Sequence, residues 1–217
     1  MICTQDNVRA CRERCRSGPY DDLYRGRYLL WPARPGRMVC RAQSVVAAGR
    51  ALDLGCGDGK NLLYLERLGW AVDGIDISRI AIDAARRRLH DAAHLQKGQL
   101  LCGDAANVNA GANTYDLIIA YGLYHCLDDP RLSAVHRKAK SALKRGGLLA
   151  FACFNDDLPV PNGHLTGKTY LRPANHIHWL CRDWRTLSSE QGLFHENHLP
   201  LIGEHAHAMT WALFQKV

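Results

Sequence analysis

No apolar run in this 217-residue chain approaches the roughly 20 residues that a membrane-spanning helix needs, so a helical membrane protein is not expected. The stretch 1–16 carries four Arg but no apolar segment beside them, so a secretory leader is not expected either. No C-x-x-C pair occurs among the nine cysteines, whose spacing is irregular, and this argues against a zinc site built on cysteine. A reduced, cytoplasmic setting fits best, with Cys56, Cys102, Cys126 and Cys153 acting as small hydrophobes in or beside strands. Only Cys11 and Cys15, in a basic arm, leave a metal or a disulfide open. Internal repeats and low-complexity segments are absent. Beyond residue 50 the chain also lacks any marked charge excess. The formal charge is +7, and the first fifty residues hold ten Arg against four acids. Such an arm suits nucleic acid, a solvated flexible segment or an anionic small substrate equally well. A hydrophobic fraction of 47% with 23% charged residues is that of one ordinary globular domain with a full core.

The chain is organised around Ala51-Leu52-Asp53-Leu54-Gly55-Cys56-Gly57-Asp58-Gly59-Lys60-Asn61. A short apolar run containing an acid passes through three alternating glycines into an apolar-periodic segment, which predicts a strand, a tight turn and a helix. Glycine permits positive φ and lets a ligand approach the backbone, while a helix start offers unpaired N–H groups. The spacing G-x-G-x-G differs from the G-x-G-x-x-G of dinucleotide-binding turns, which argues against an NAD-dependent oxidoreductase.

Around this turn, strands and helices alternate. The spacing predicts helices over 38–48, 62–68, 80–90 and 129–145, the last stopped by Gly146-Gly147. Strands are expected over 71–77, 100–104, 115–120 and 148–154, which implies a parallel sheet with right-handed crossovers. Tyr20, Tyr24, Tyr28 and Trp31 share one helical face, either packed on the core or forming a lid. Residues 155–180, rich in Pro and Gly, read as a long loop. Arg182 to Gln191 reads as a helix, followed by a short strand over Leu193–Leu201 and a longer one over His205–Phe214.

Asp76 ends the second strand, 21 residues after Gly55, where a carboxylate can accept both ribose hydroxyls of a nucleoside. Asp104 ends the third strand, placed to accept from an adenine amino group, and the Ala105 N–H follows it. Ligands of open α/β sheets bind at the carboxyl ends of the strands, where Asp53, Gly55, Asp76, Asp104 and Ala120 would gather.

Together these residues resemble the class I S-adenosylmethionine (SAM) methyltransferases over about residues 45–155. The run DLGCGDGKNLLYLERLGWAVDGIDIS is similar to small bacterial tellurite-resistance and thiopurine-type enzymes. The resemblance implies a Rossmann-like, doubly wound α/β fold. Its seven-stranded sheet would be mostly parallel, with an antiparallel last strand inserted next to the fifth. It implies SAM as cofactor, with Asp53, Gly55, Cys56, Gly57, Asp76, Ile77, Asp104, Ala105 and Ala120 binding it and Trp31 covering it from the lid. The organisation expected is an arm over 1–18 and one domain over 19–217. That domain divides into lid 19–48, core 49–155, substrate loop 156–180 and C-terminal elements 181–217.

After the fourth strand the chain reads Tyr121-Gly122-Leu123-Tyr124-His125-Cys126, not the Asn-Pro-Pro-Tyr of many amino-group nucleic-acid methyltransferases. A small-molecule acceptor is therefore expected, bound by Tyr24, Tyr124 and His205. His125 and His207 are the candidate catalytic residues, His125 having a structural alternative. Period-two alternation puts His205, His207, Met209, Trp211 and Leu213 on one face of the last strand, near the cofactor edge. These two histidines suit a base or substrate anchor, a hydrogen-bonded structural pair, or a metal site completed by His125, His164, His176 or His178. No metal is assigned. A monomer or homodimer is expected, without nucleic acid. The alternatives are a nucleic-acid methyltransferase using the Arg arm, or a non-catalytic SAM- or metal-binding protein.

Overall fold

The computed structural model describes residues 21, 24, 25, 34–92, 97–161, 169–198 and 202–217. The strands are β1 (Arg50–Leu54), β2 (Ala71–Asp76), β3 (Leu100–Cys102), β4 (Tyr115–Tyr121), β5 (Leu143–Phe154), β6 (Arg185–His198) and β7 (Ile202–Gln215). They form one seven-stranded sheet in the order β3-β2-β1-β4-β5-β7-β6. Strands β1 to β5 pair in parallel, whereas β7 runs antiparallel between β5 and β6. The antiparallel last strand beside the fifth is as the resemblance implies.

The helices are α1 (Arg37–Val45), α2 (Lys60–Arg67), α3 (Arg79–Asp91), α4 (Asp129–Ala142) and the short α5 (His176–Leu180). Strand side chains alternate between two cores. Leu117 and Ile119 of β4 join Met38, Val39, Leu62, Leu65 and Ile82 of α1 to α3 on one face. Ile118 and Ala120 join Leu132, Val135 and Ile177 of α4 and α5 on the other. A central strand covered on both faces needs an unbroken apolar run, and 117–120 supplies it. The starts of α3 and α4 are set locally: the Ser78 hydroxyl accepts from the Ala81 N–H at 3.1 Å, and Asp128 accepts from the Arg131 N–H at 3.0 Å.

The edge where the parallel strands begin is tied by a buried carboxylate. Asp73 accepts from Arg50 Nε and Nη2 at 2.9 and 2.7 Å, the Tyr115 hydroxyl at 2.8 Å and the Gln99 N–H at 2.7 Å. Burial beside Asp73 pushes the Tyr115 hydroxyl upward in pKa.

The structure corrects two sequence expectations. Residues 182–191 are not a helix, because Arg185 to Glu196 lie in the long hairpin strand β6, bonded to β7. Cross-strand pairing outweighs weak local helical preference here, and no apolar stripe of helical spacing resists it. The helix before Gly146-Gly147 ends at Ala142 instead, and β5 starts at Leu143. The glycines make an irregularity within the strand, Gly146 taking φ +77°. Among the described cysteines, Cys40, Cys56, Cys126, Cys153 and Cys181 are free, but Cys102 is disulfide-bonded. That departs from the role of a small free hydrophobe expected for Cys102. No helix among the described residues is long and apolar enough to cross a membrane.

Candidate active site

The turn after β1 is built from glycines in a conformation that other residues adopt at a penalty. Gly55, Gly57 and Gly59 take φ +72°, +54° and +83°. The N–H groups of Gly55 and Cys56 donate to the Ile75 carbonyl at 2.8 and 3.0 Å, which holds the turn against the end of β2. A side chain on Gly57 would meet the Tyr24 hydroxyl at 2.7 Å, so Tyr24 lies over the turn. Asp21 lies beside it, bonded to the Ser78 hydroxyl. The arm 1–18, Trp31 and His164 lie outside the described residues.

Asp76 braces the same turn. Its Oδ2 accepts from the Gly57 N–H and its Oδ1 from the Ser78 N–H, each at 2.9 Å. Burial pushes this carboxyl upward in pKa, while the two N–H donors pull it back. One lone pair on each oxygen remains beyond these bonds.

Asp53 is buried more completely. Oδ2 takes a long 3.4 Å bond from Asn61 Nδ2, and Oδ1 has no hydrogen-bond partner among the described residues. Burial raises its pKa to about 7, the Asp76 charge adding to this while Asn61 and Lys60 oppose it. Asn61 in turn accepts from the Gly36 N–H at 2.9 Å, linking the start of α1 to the turn. The Lys60 ammonium has its pKa lowered by burial, against the opposing pull of Asp58, Asp53 and Glu196. Glu196 therefore stands within electrostatic reach of the glycine turn, although 136 residues separate it from Lys60.

Around this centre the other expected residues fall at the same strand ends. Cys56 is buried at the turn, and burial raises its thiol pKa well above normal. Ile77 follows Asp76, Ala105 begins a 3-10 turn after β3, and Ala120 is buried at the end of β4. Asp104 caps that turn, Oδ1 accepting from the Ala106 N–H at 2.9 Å and Oδ2 pairing with Arg131 at 2.7 Å.

A wall of stacked rings stands at the end of β5. Phe154 is sandwiched between His125 and His207, each ring centroid 4.0 Å away and each ring nearly parallel to its own. His125 Nδ1 accepts from the Phe154 N–H at 3.2 Å, so the neutral ring carries its proton on Nε2 and presents a donor there. Beyond the wall, Glu196 Oε2 lies 3.5 Å from His207 Nε2 and 4.0 Å from His205 Nε2. The shared face of His207, Met209, Trp211 and Leu213 is as the alternation predicts, the last three entering one core. Tyr124 gives its hydroxyl to His136 Nδ1 at 3.1 Å rather than to this group, while its ring packs on Phe151 and borders a small cleft that Phe154, Asn155, His176 and Thr210 also line. Of the further histidines weighed as ligands, His178 bonds to Ser189 at 2.9 Å and His176 lines that cleft, so Glu196 takes the place given to them.

Residues 51–147 match the family model described as a methyltransferase domain. The chain is 27% identical over 158 residues to "Probable S-adenosyl-L-methionine-dependent methyltransferase TehB" of Haemophilus influenzae, covering 71% of this chain and 52% of that protein. These similarities support a class I SAM-dependent methyltransferase domain over residues 51–147. It spans about half the length of the curated relatives it matches first. The fold is shared with the crystal structure of TehB from Haemophilus influenzae at TM-score 0.72 and 20% identity, covering 91% of this chain and 66% of that one. It is also shared with a structure from work on converting a disulfide bond into a thioacetal group during echinomycin biosynthesis. There the TM-score is 0.70 and the identity 22%, with 91% of this chain and 90% of the other covered.

Within this methyltransferase fold, sequence reasoning missed Phe154, Asn61 and Glu196. Pairing β6 with β7 as a hairpin sets Glu196 opposite His205, and that symmetry was the available signal. Assigning a helix to 182–191 concealed it.

Proposed function

We propose that this methyltransferase transfers the methyl group of SAM to a nitrogen, oxygen or sulfur of a small molecule. The observation that carries the reading is the meeting, at one sheet edge, of the Asp76–glycine cradle with the ring and carboxylate wall of His125, Phe154, His207 and Glu196. The cradle fits the cofactor in two respects. The orphaned Oδ1 of Asp53 suits a cationic ligand, and the glycine turn admits close approach to its backbone. Asp76 would accept from the ribose hydroxyls, Asp104 and Ala105 would face the adenine, and Gly55 to Gly57 would lie along the methionyl part.

SAM supplies an electrophilic methyl on a sulfonium, whose leaving thioether needs no acid. The chain's own work is alignment, exclusion of water and care of the acceptor's proton. Tyr24 closes over the turn, and the stacked rings of His125, Phe154 and His207 form a rigid wall beside the acceptor. His125 donates from Nε2 and orients the acceptor rather than deprotonating it. His207, His205 and Glu196 give the acceptor end three basic atoms that favour its deprotonated form.

SAM affinity should depend on pH through Asp53. Its carboxyl is neutral below about pH 7 in the folded chain but ionises near 3.9 when unfolded. The folded state therefore holds the extra proton between these values, and stability falls as pH rises from about 4 to about 7. A ligand bearing ammonium and sulfonium charges favours the ionised form, so affinity should rise through pH 7 with proton release below it. Calorimetry in buffers of different ionisation enthalpy reads that release. Asp53→Asn should flatten the profile, and an unchanged profile would refute the role.

The function itself is tested by a turnover screen that detects S-adenosylhomocysteine. Thiols, amines, heteroaromatics and carboxylates are offered as acceptors. Product above background with a small acceptor is expected. Its absence with every class, alongside turnover on RNA, would replace this reading.

A further inference from the structure

Two histidines and a carboxylate from opposite strands of one hairpin converge at the acceptor end. The donor atoms of Glu196, His205 and His207 all lie within 4.8 Å of one another, and their side chains are at most 6% exposed. The geometry points to a binding site for one divalent transition-metal ion of the zinc type, held by Glu196, His205 Nε2 and His207 Nε2. This deepens the acceptor site, and its functional meaning rests on the methyltransferase reading, although metal binding is measured independently.

Donors bonded at about 2.1 Å around a tetrahedral ion stand about 3.4 Å apart. The 3.5 Å between Glu196 and His207 already matches, whereas the 4.0 Å from Glu196 to His205 and the 4.8 Å span of the whole set require the His205 ring to move toward the other two donors. The ring orientation also fits. His205 Nδ1 lies 2.8 Å from the Gly203 carbonyl, which only accepts, so Nδ1 carries the proton and Nε2 keeps its lone pair on the Glu196 side. A backbone carbonyl on the far nitrogen is the usual support of a metal-bound imidazole. Backbone pairing fixes the set, because Glu196 is opposite His205 across the hairpin and His207 is two residues further along the same strand face.

Ligand chemistry selects the ion. Two imidazoles and one carboxylate suit zinc, iron, nickel or copper, whereas calcium and magnesium prefer oxygen ligands throughout. Three protein ligands leave at least one position open, the arrangement of catalytic rather than structural zinc sites. An acceptor hydroxyl or thiol bound there would ionise more readily, and its proton would pass to buffer. His207 then acts as a ligand, and the ion makes the acceptor nucleophilic. The charge within reach that opposes the ion is Lys60, itself drawn to Glu196.

The test uses the full chain stripped with a chelator. Zn²⁺ is titrated alone by calorimetry, with elemental analysis of the dialysed protein, and Co²⁺ is added for its visible absorption bands. About one equivalent should bind, with bands of a four- or five-coordinate site. Glu196→Gln, His205→Ala and His207→Ala should each weaken binding by roughly 100-fold or more. Circular dichroism and SAM affinity are read in parallel, so that misfolding is not mistaken for ligand loss. No stoichiometric binding by the unsubstituted chain would overturn the site, leaving a carboxylate–imidazolium cluster. Affinity retained in the three variants would equally overturn it, since the ion would then lie elsewhere. SAM binding without metal rejects this site alone, whereas metal binding without SAM binding rejects the methyltransferase reading.

Discussion

Asp76→Ala should lower SAM affinity by roughly 100-fold or abolish measurable binding. Two hydrogen bonds from ligand hydroxyls to a carboxylate, each contributing about 1.5 kcal/mol or more, account for about 3 kcal/mol. The substitution also removes the acceptor for the Gly57 and Ser78 N–H groups, so the turn that receives the ligand loses its brace. Asp76→Asn should fall between, since its single oxygen satisfies only one donor and its amide opposes the other. Calorimetry with SAM and with S-adenosylhomocysteine reads the effect. The fold should persist, because Asp76 bonds to the turn and the start of α3 rather than to the core. Affinity within a few-fold of the unsubstituted chain would remove the ribose assignment.

Asp73→Ala should be the most damaging single change to stability, with little direct effect on the cofactor edge. It leaves the Arg50 guanidinium, the Tyr115 hydroxyl and the Gln99 N–H without their common acceptor, at the opposite end of the strands from the glycine turn. Breaking a buried charge pair by removing one partner typically destabilises by 3–5 kcal/mol, and Arg50, one-third exposed, recovers some hydration. About 3 kcal/mol is expected, a fall of roughly 10 °C in Tm for a chain of this size. Thermal denaturation measures it. A shift under about 2 °C would mean that the cluster is not a determinant of stability.

The half of the site proposed to hold the cofactor was legible in the sequence because its signals are local. Gly55, Gly57 and Gly59 stand within five residues, and all three take the positive φ that only glycine adopts freely. Asp76 and Asp104 were placed by counting to the ends of strands that alternate regularly with helices. The acceptor half was only partly legible. The alternation of His205 with His207 fixed their common face, but their partner Glu196 comes from a strand that looked helical over its first half. Tyr124 shows the same limit, since its proximity to the site in sequence did not reveal that its hydroxyl turns inward to His136.

By itself the sequence determined the Rossmann-like order of elements, the glycine turn with its acids, and the face of the last strand that carries histidines. Each follows from a period or a spacing within a few residues of chain, which backbone geometry converts directly into position. Only the tertiary structure decided which groups meet across long separations. Those meetings are Asp73 with Arg50 and Tyr115, Asn61 with Gly36, and Glu196 with His205 and His207. They depend on strand order and hairpin register, which are set by burial of both sheet faces and by pairing of backbone groups across the whole domain. The glycine turn with its acids is thus a local property of this chain, and the wall of His125, Phe154, His207 and Glu196 is a property of its fold.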